Sequence, residues 1–560
     1  MKKYWLLMIV STLVLILSAC TSDSDVDPES ADADDESATS GASGDITIST
    51  PSDVISLNPQ GSNDSASEVV RNVIYEGLVE FDAEGELIPV LATDYEQLDE
   101  LTWEFNLRED VTFHDGSDFN AEAVKSNLDR INDPLVGSER AYLLEMIEKV
   151  EVIDDHTVHI KTEYPFTPLD MNLGHGGGKL LSKELIDEDY ENAITEAGLD
   201  ISLEEYYQAR DESDEEALES AEAISESIGA VIEQNPAGTG YMQFDSRSPG
   251  EQTVIVKNPD YWNGEPSLDS VTYKVVPESG ARIAELETGT TEVTDGVNTD
   301  NIARLEETEG INLHMVESNQ IDYVGMNTES EPLDDVEVRQ ALSYALDREE
   351  IIEGIFNGSG RPGYGPIAPG MMGYTDDVNQ YEYDIERAQE LLEEAGHGDG
   401  LDLTIAVNDD NEERVDIAVY LQETLAEIGV NLEIQQLEWG TFLEATGNGE
   451  YDLFVSGWVN TTGSSDNAIY PLYHTDNMGL NGNRSFFSNE ELDALIDEAR
   501  SETDADARAE IYTEAQQLIA EEAPVIFVRY GDNLAASIDG VNDVVLTKNG
   551  LYDFSETTVE

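Results

Sequence analysis

The apolar positions of this chain change their period several times, and each change marks an element. Residues 4–17 form one apolar run behind Lys2 and Lys3, and the run closes in Leu17-Ser18-Ala19-Cys20. A basic start, a short apolar stretch and small residues at a cut site describe a secretory signal peptide. The alternative, a membrane anchor, needs about 20 apolar residues, and here an acidic tract follows at once. Residues 21–44 carry no aromatic side chain and no periodicity, so they read as a disordered, self-repelling acidic linker.

Ordered pattern begins at Asp45-Ile46-Thr47-Ile48, a short alternating strand. In 101–107 the side chains of Trp103, Phe105 and Leu107 alternate onto one face. Asp115-Gly116 then supplies a turn and Asn120 a helix cap. Residues 151–160 read as a hairpin whose arms meet at Asp154-Asp155. The spacing predicts amphipathic helices over 336–355 and 412–428, with strands at 401–407, 430–434 and 451–456. Strands alternating with helices specify an α/β sheet. Residues 187–233 are acidic and helix-prone, a surface elaboration.

Length and composition sharpen this picture. A chain of 560 residues is too long for one core, and 39% hydrophobic residues suffice to bury several. Cys20 is the sole cysteine, so no disulfide forms within the chain. Against 27 basic residues stand 122 acidic ones, a net charge of −95, which sets nucleic acid aside as a partner. Acid spread over every segment is expected of a halophilic surface, because in molar salt the Debye length shrinks to about 3 Å. The other reading, calcium buffering, needs ligands at EF-hand spacing, and residues 23–36 lack that order.

Several motifs point nowhere. Gly358, Gly360 and Gly363 fit a dinucleotide fingerprint, but they follow a helix instead of a strand. His175-Gly176-Gly177-Gly178 imitates an oxyanion segment, yet no G-x-S-x-G nucleophile elbow accompanies it, so it reads as a flexible connection. The seven histidines are scattered and no H-E-x-x-H occurs, so neither a metal site, a cofactor nor a catalytic residue is expected. With 122 acids, any pair of carboxylates is uninformative.

Four ordered stretches resemble one family, the extracellular solute-binding proteins (family 5) of peptide-type ABC transporters. The first is Trp103-Glu104-Phe105-Asn106-Leu107-Arg108 with Phe113-His114-Asp115-Gly116. The second is Gly238-Thr239-Gly240-Tyr241 with Asn258-Pro259-Asp260-Tyr261-Trp262, lacking a proline usual before the tyrosine. The third runs from Val324-Gly325-Met326-Asn327 to Val338-Arg339-Gln340-Ala341-Leu342. The fourth runs from Gly457-Trp458 to Tyr473-His474 and Asn483-Arg484-Ser485. The Leu-Ser-Ala-Cys end of the signal resembles a lipoprotein lipobox, which implies lipidation of Cys20.

The resemblance implies a two-lobed periplasmic-binding-protein-like clamp (type II, cluster C) with an extra inserted α+β domain. Lobe I is expected at 45–80, 236–315 and 525–560, the inserted domain at 81–235, and lobe II at 316–524. The chain would cross between lobes near 316–322 and 523–530. The implied activity is capture of short peptides, dipeptide, oligopeptide or glutathione-like, by a monomeric non-enzyme held at the cell membrane. An ABC permease and a separate ATPase are the implied partners. Matching the family residue by residue, Asp466 would hold the ligand ammonium and Arg414 its carboxylate, with Trp458, Asn327 and Tyr75 as further ligand-binding positions. A buried zwitterion needs such opposite charges at its two ends. Thr461-Thr462-Gly463-Ser464-Ser465-Asp466-Asn467 departs from the dipeptide binders' Gly-Asp-Pro-Asp-Asn, which puts strict dipeptide specificity in doubt. A nickel or metallophore binder is the nearest alternative; a peptide-sensing lipoprotein and an exported hydrolase are the others.

Overall fold

The computed structural model describes residues 44–409 and 411–560. The signal peptide, Cys20 and all of the acidic linker but Gly44 lie outside them. Among the described residues no helix is long and apolar enough to cross a membrane.

Two long strands organise the molecule. Ile311–Met326 and Val525–Ile538 pair antiparallel from Ile311↔Ile538 to Gly325↔Val525, with irregularities between Glu317 and Ile321 and between Asp322 and Tyr323. On one side of this pair the sheet continues through Val293–Thr294, Asp45–Thr50, Ser270–Val275, Gln252–Lys257 and Met242–Ser248. On the other side it continues through Leu453–Val459, Leu401–Asn408 and Val430–Leu437. The fold is therefore α/β, as the alternation of elements requires. Leu401–Asn408 and Val430–Leu437 are parallel and joined by helix Glu412–Glu427, a crossover of the kind a parallel pair needs. That helix packs Ile417, Ala418, Leu421 and Leu425 inward, and Asn411 caps it by accepting from the Arg414 amide at 2.9 Å.

A separate four-stranded sheet runs Ala92–Asp99, Thr102–Leu107, Thr157–Thr162, Ile147–Asp154. Trp103, Phe105 and Leu107 are all buried in its core, and the Phe105 ring stacks on Tyr95 at 5.3 Å. The hairpin forms, but its turn falls at Asp155-His156, where the Asp154 carboxylate accepts from the His156 amide at 3.0 Å. Gly116 closes its turn through the Phe113 carbonyl at 2.9 Å, and Asn120 caps helix Ala121–Ile131.

One predicted helix breaks. Residues 336–355 form two helices, Val336–Tyr344 and Arg348–Gly354. Asp347 caps the second by accepting from the Glu350 amide at 3.0 Å, and Arg348 reaches the Gly363, Phe527 and Tyr381 carbonyls. Those long-range bonds overrule a continuous apolar stripe. His175-Gly176-Gly177-Gly178 is no loose connection either. Its glycines form a buried 3₁₀ turn, and a Cβ on Gly176 would lie 2.2 Å from a Glu68 oxygen.

Candidate functional site

A cavity of about 1040 Å³ opens between the two sides of the molecule. Glu76, Arg108, Lys179 and Trp262 contribute to one wall, and Trp439 and Trp458 to the facing one. Three of the chain's five tryptophans thus meet in one space. Aromatic walls with polar groups between them suit a small-molecule site, and the volume lies just above the usual ~300–1,000 Å³.

Glu76 explains two of the sequence motifs. Its carboxylate accepts from the Tyr261 hydroxyl at 2.7 Å, the Thr239 hydroxyl at 2.8 Å and the Trp262 indole at 2.9 Å. The G-T-G-Y and N-P-D-Y-W segments therefore converge on one buried acid. His114 of the first segment joins them: its amide donates to Gly238 O at 2.9 Å and its ring meets Gly240 O at 2.9 Å. Gly240 itself must be glycine, since a Cβ there would lie 2.4 Å from the Val73 carbonyl oxygen. Burial raises the Glu76 carboxyl to about 7, with help from the neighbouring Glu80 charge and against its three donors.

Beside it, Glu68 has the opposite balance. Burial alone would raise its carboxyl, but Arg140, Arg71 and Lys179 around it hold it well below the usual carboxylate range. Arg140 donates to it at 2.7 Å and Arg71 at 3.1 Å. The same cations help burial push the His175 ring down to about 3, so this wall histidine is neutral. Lys179 is occupied by Asn72 Oδ1 at 2.9 Å and Tyr75 O at 3.0 Å, with Glu80 at 3.4 Å.

On the facing wall, the Trp458 indole donates to the Asn467 carbonyl at 2.9 Å, which fixes its ring edge, and Trp439 stacks on Phe442 at 5.6 Å. Of the five ligand positions read from the sequence, only Trp458 lines the cavity. Asp466 is turned away: its carboxylate lies 3.2 Å from Arg500, whose guanidinium sits 3.7 Å over the Tyr470 ring and 5.2 Å from Phe166. Burial raises the Asp466 carboxyl, opposed by Arg500 and His474. Arg414 stands one layer back, donating to Asn408 at 3.0 Å and sitting 5.7 Å over the ring of Trp439. Tyr75 is fully buried with its hydroxyl on Leu57 O at 3.0 Å, and Asn327 spans to Gly449 O at 3.2 Å; both serve the core.

Sequence reading missed Arg108, Trp262, Trp439 and Glu76. Arg108 and Trp262 lie inside the recognised segments, where they pass for fold signatures. A signal was available in the scarcity of tryptophan, the residue most worth tracing to a binding surface.

Residues 86–479 match the family described as bacterial extracellular solute-binding proteins, family 5 Middle. The glutathione-binding protein GsiB of Pectobacterium atrosepticum is 30% identical over 523 residues, covering 92% of this chain and 94% of that protein. HbpA2 from Haemophilus parasuis superposes with a TM-score of 0.78 at 26% identity, over 92% of this chain and 100% of that one. The periplasmic binding protein DppA from Helicobacter pylori, solved with the peptide STSA, gives 0.73 at 26% identity, over 93% and 98%. The shared architecture is the two-lobed α/β fold of periplasmic binding proteins. By segments, fold and cavity alike, the chain belongs to family 5 of the bacterial extracellular solute-binding proteins.

Proposed function

We propose that this chain is the capture subunit of an ABC importer for short peptides, glutathione-like ones included. It holds the peptide between its lobes and delivers it to a membrane permease, with a separate ATPase driving transport. The observation that carries this reading is the cavity of about 1040 Å³ walled by Trp262, Trp439 and Trp458, in a chain whose relatives include a glutathione binder and a peptide binder. Indole faces accept peptide side chains and backbone without demanding one sequence. Glu80, on the same wall, supplies negative charge for a ligand ammonium. Closure of the lobes follows from the ligand contacting both walls, since a ligand shifts such an equilibrium only by its extra contacts in the closed state.

Cys20 carries the lipid that tethers the protein to the outer face of the cell membrane. The net charge of −95 serves as a solvated surface in high salt. Raising potassium chloride from about 0.1 to about 2 M should then raise the melting temperature, as screening removes self-repulsion; a fall would reject the halophilic reading.

Native mass spectrometry of the protein with an equimolar mixture of dialanine, trialanine, tetraalanine and glutathione tests capture directly. A one-to-one adduct with at least one of them is expected. Absence of every adduct, or appearance of cleaved peptide, would overturn the proposal.

A further inference from the structure

Three strong cations line the cavity, and two of them are already spent. Arg140 donates to Pro59 O at 3.1 Å and Glu68 at 2.7 Å, while Lys179 is taken up by Asn72, Tyr75 O and Glu80. Arg108 differs. Its amide is clipped to Leu91 O at 2.9 Å, its Nε donates to Val90 O, and its guanidinium lies 4.2 Å over the Trp262 ring. Among the described residues its two terminal nitrogens have no protein partner, in a chain where acids outnumber bases 122 to 27. The Trp262 face blocks one side of the guanidinium plane and Val90 O occupies the Nε edge. What remains open is the end-on fork of Nη1 and Nη2, the edge that binds a carboxylate bidentately.

We propose that Arg108 holds the terminal carboxylate of the bound peptide, with Trp262 and Val90 O aiming its fork into the cavity. This rests on the peptide-capture reading and adds to it the residue for one end of the ligand. The arrangement is a preorganised one. The stacked ring and the Nε bond remove the rotamer freedom that a loose arginine would lose on binding. It also places the cation over the ring whose indole N–H donates to Glu76. A zwitterion would find its anionic end at Arg108 and its cationic end toward the acidic lining, Glu80 included.

The test uses trialanine and glutathione, each as the free C-terminal acid and as the C-terminal amide, titrated calorimetrically into full-length wild type, Arg108→Gln and Arg108→Lys. Thermal melts of each variant establish that it is folded. Wild type should prefer the acid over the amide by about 10- to 100-fold, the usual worth of hydrogen bonds to a charged group. Arg108→Gln should lose that preference while still binding the amide. Arg108→Lys should keep a reduced part of it, since the point charge survives without the fork. A folded Arg108→Gln that still discriminates acid from amide, or that weakens both equally, overturns the assignment and leaves peptide capture standing. Failure of wild type to bind any of the four probes removes the capture reading and this inference together.

Discussion

Glu68 and Asp466 are both buried acids, and their carboxyls shift in opposite directions. Glu68 has Arg71, Arg140 and Lys179 about it and is held ionised far into acid. Asp466 has Arg500 at 3.2 Å as its main cation, in a contact where Phe166 and Tyr470 crowd the guanidinium, and burial wins. The difference teaches that three cations outweigh the burial of Glu68, whereas Arg500 and His474 do not outweigh burial and the Asp497 charge at Asp466. It also separates two jobs. The Glu68 cluster is a rigid polar floor for the cavity. The Asp466–Arg500 pair belongs to a contact across the molecule, where the Arg500 carbonyl accepts from the Thr167 amide at 2.9 Å and hydroxyl at 3.1 Å.

The largest expected effect sits on the floor. Glu68→Gln leaves buried Arg71 and Arg140 without their shared anion and should cost about 3–5 kcal/mol in denaturant unfolding. The folded carboxyl is depressed, so its contribution is complete above about 4.5 and is lost as pH falls. The variant should therefore show a flatter acid limb; an unchanged one would break the contrast.

Glu76 comes next, with a carboxyl raised from 4.5 to about 7. A raised acid makes the folded state hold its proton longer, so stability is greatest below about 4.5 and declines as pH rises through 7. Glu76→Gln should remove that decline, on the order of 1–3 kcal/mol, read from melts between pH 5 and 8. A wild-type protein with no such slope would reject the raised value.

Asp466→Asn is the smallest. Because burial already works against the charge, the neutral isostere should cost only about 1 kcal/mol and leave peptide affinity within about twofold. A loss of binding above tenfold would return Asp466 to the ligand site and contradict its assignment to the lobe contact.

These contrasts also show how far the sequence could be read. Local order was legible wherever a single face decides it. Trp103, Phe105 and Leu107 bury as their alternation demands, and Asn120 caps where it should. Residues 336–355 read as one helix because Arg348's carbonyl partners, Gly363, Tyr381 and Phe527, lie beyond any local spacing. The cavity was only partly legible. Trp458 was found from its segment, but the fate of Asp466 depends on Arg500, a helix away, and no spacing along the chain announces that pairing. Arg108 was quoted within its strand signature and its role passed over, since only the folded protein sets Val90 and Trp262 against it.

The central claim is that peptide binds between the tryptophan walls. The most direct measurement is a calorimetric titration of wild type and of Trp439→Ala/Trp458→Ala, using whichever peptide of the native mass spectrometry mixture is retained most. A saturable one-to-one isotherm in wild type, weakened by at least about 30-fold when both indoles are removed, is predicted, a loss of about 2 kcal/mol for the pair. An isotherm unchanged in the folded double variant would place the ligand elsewhere and contradict the account.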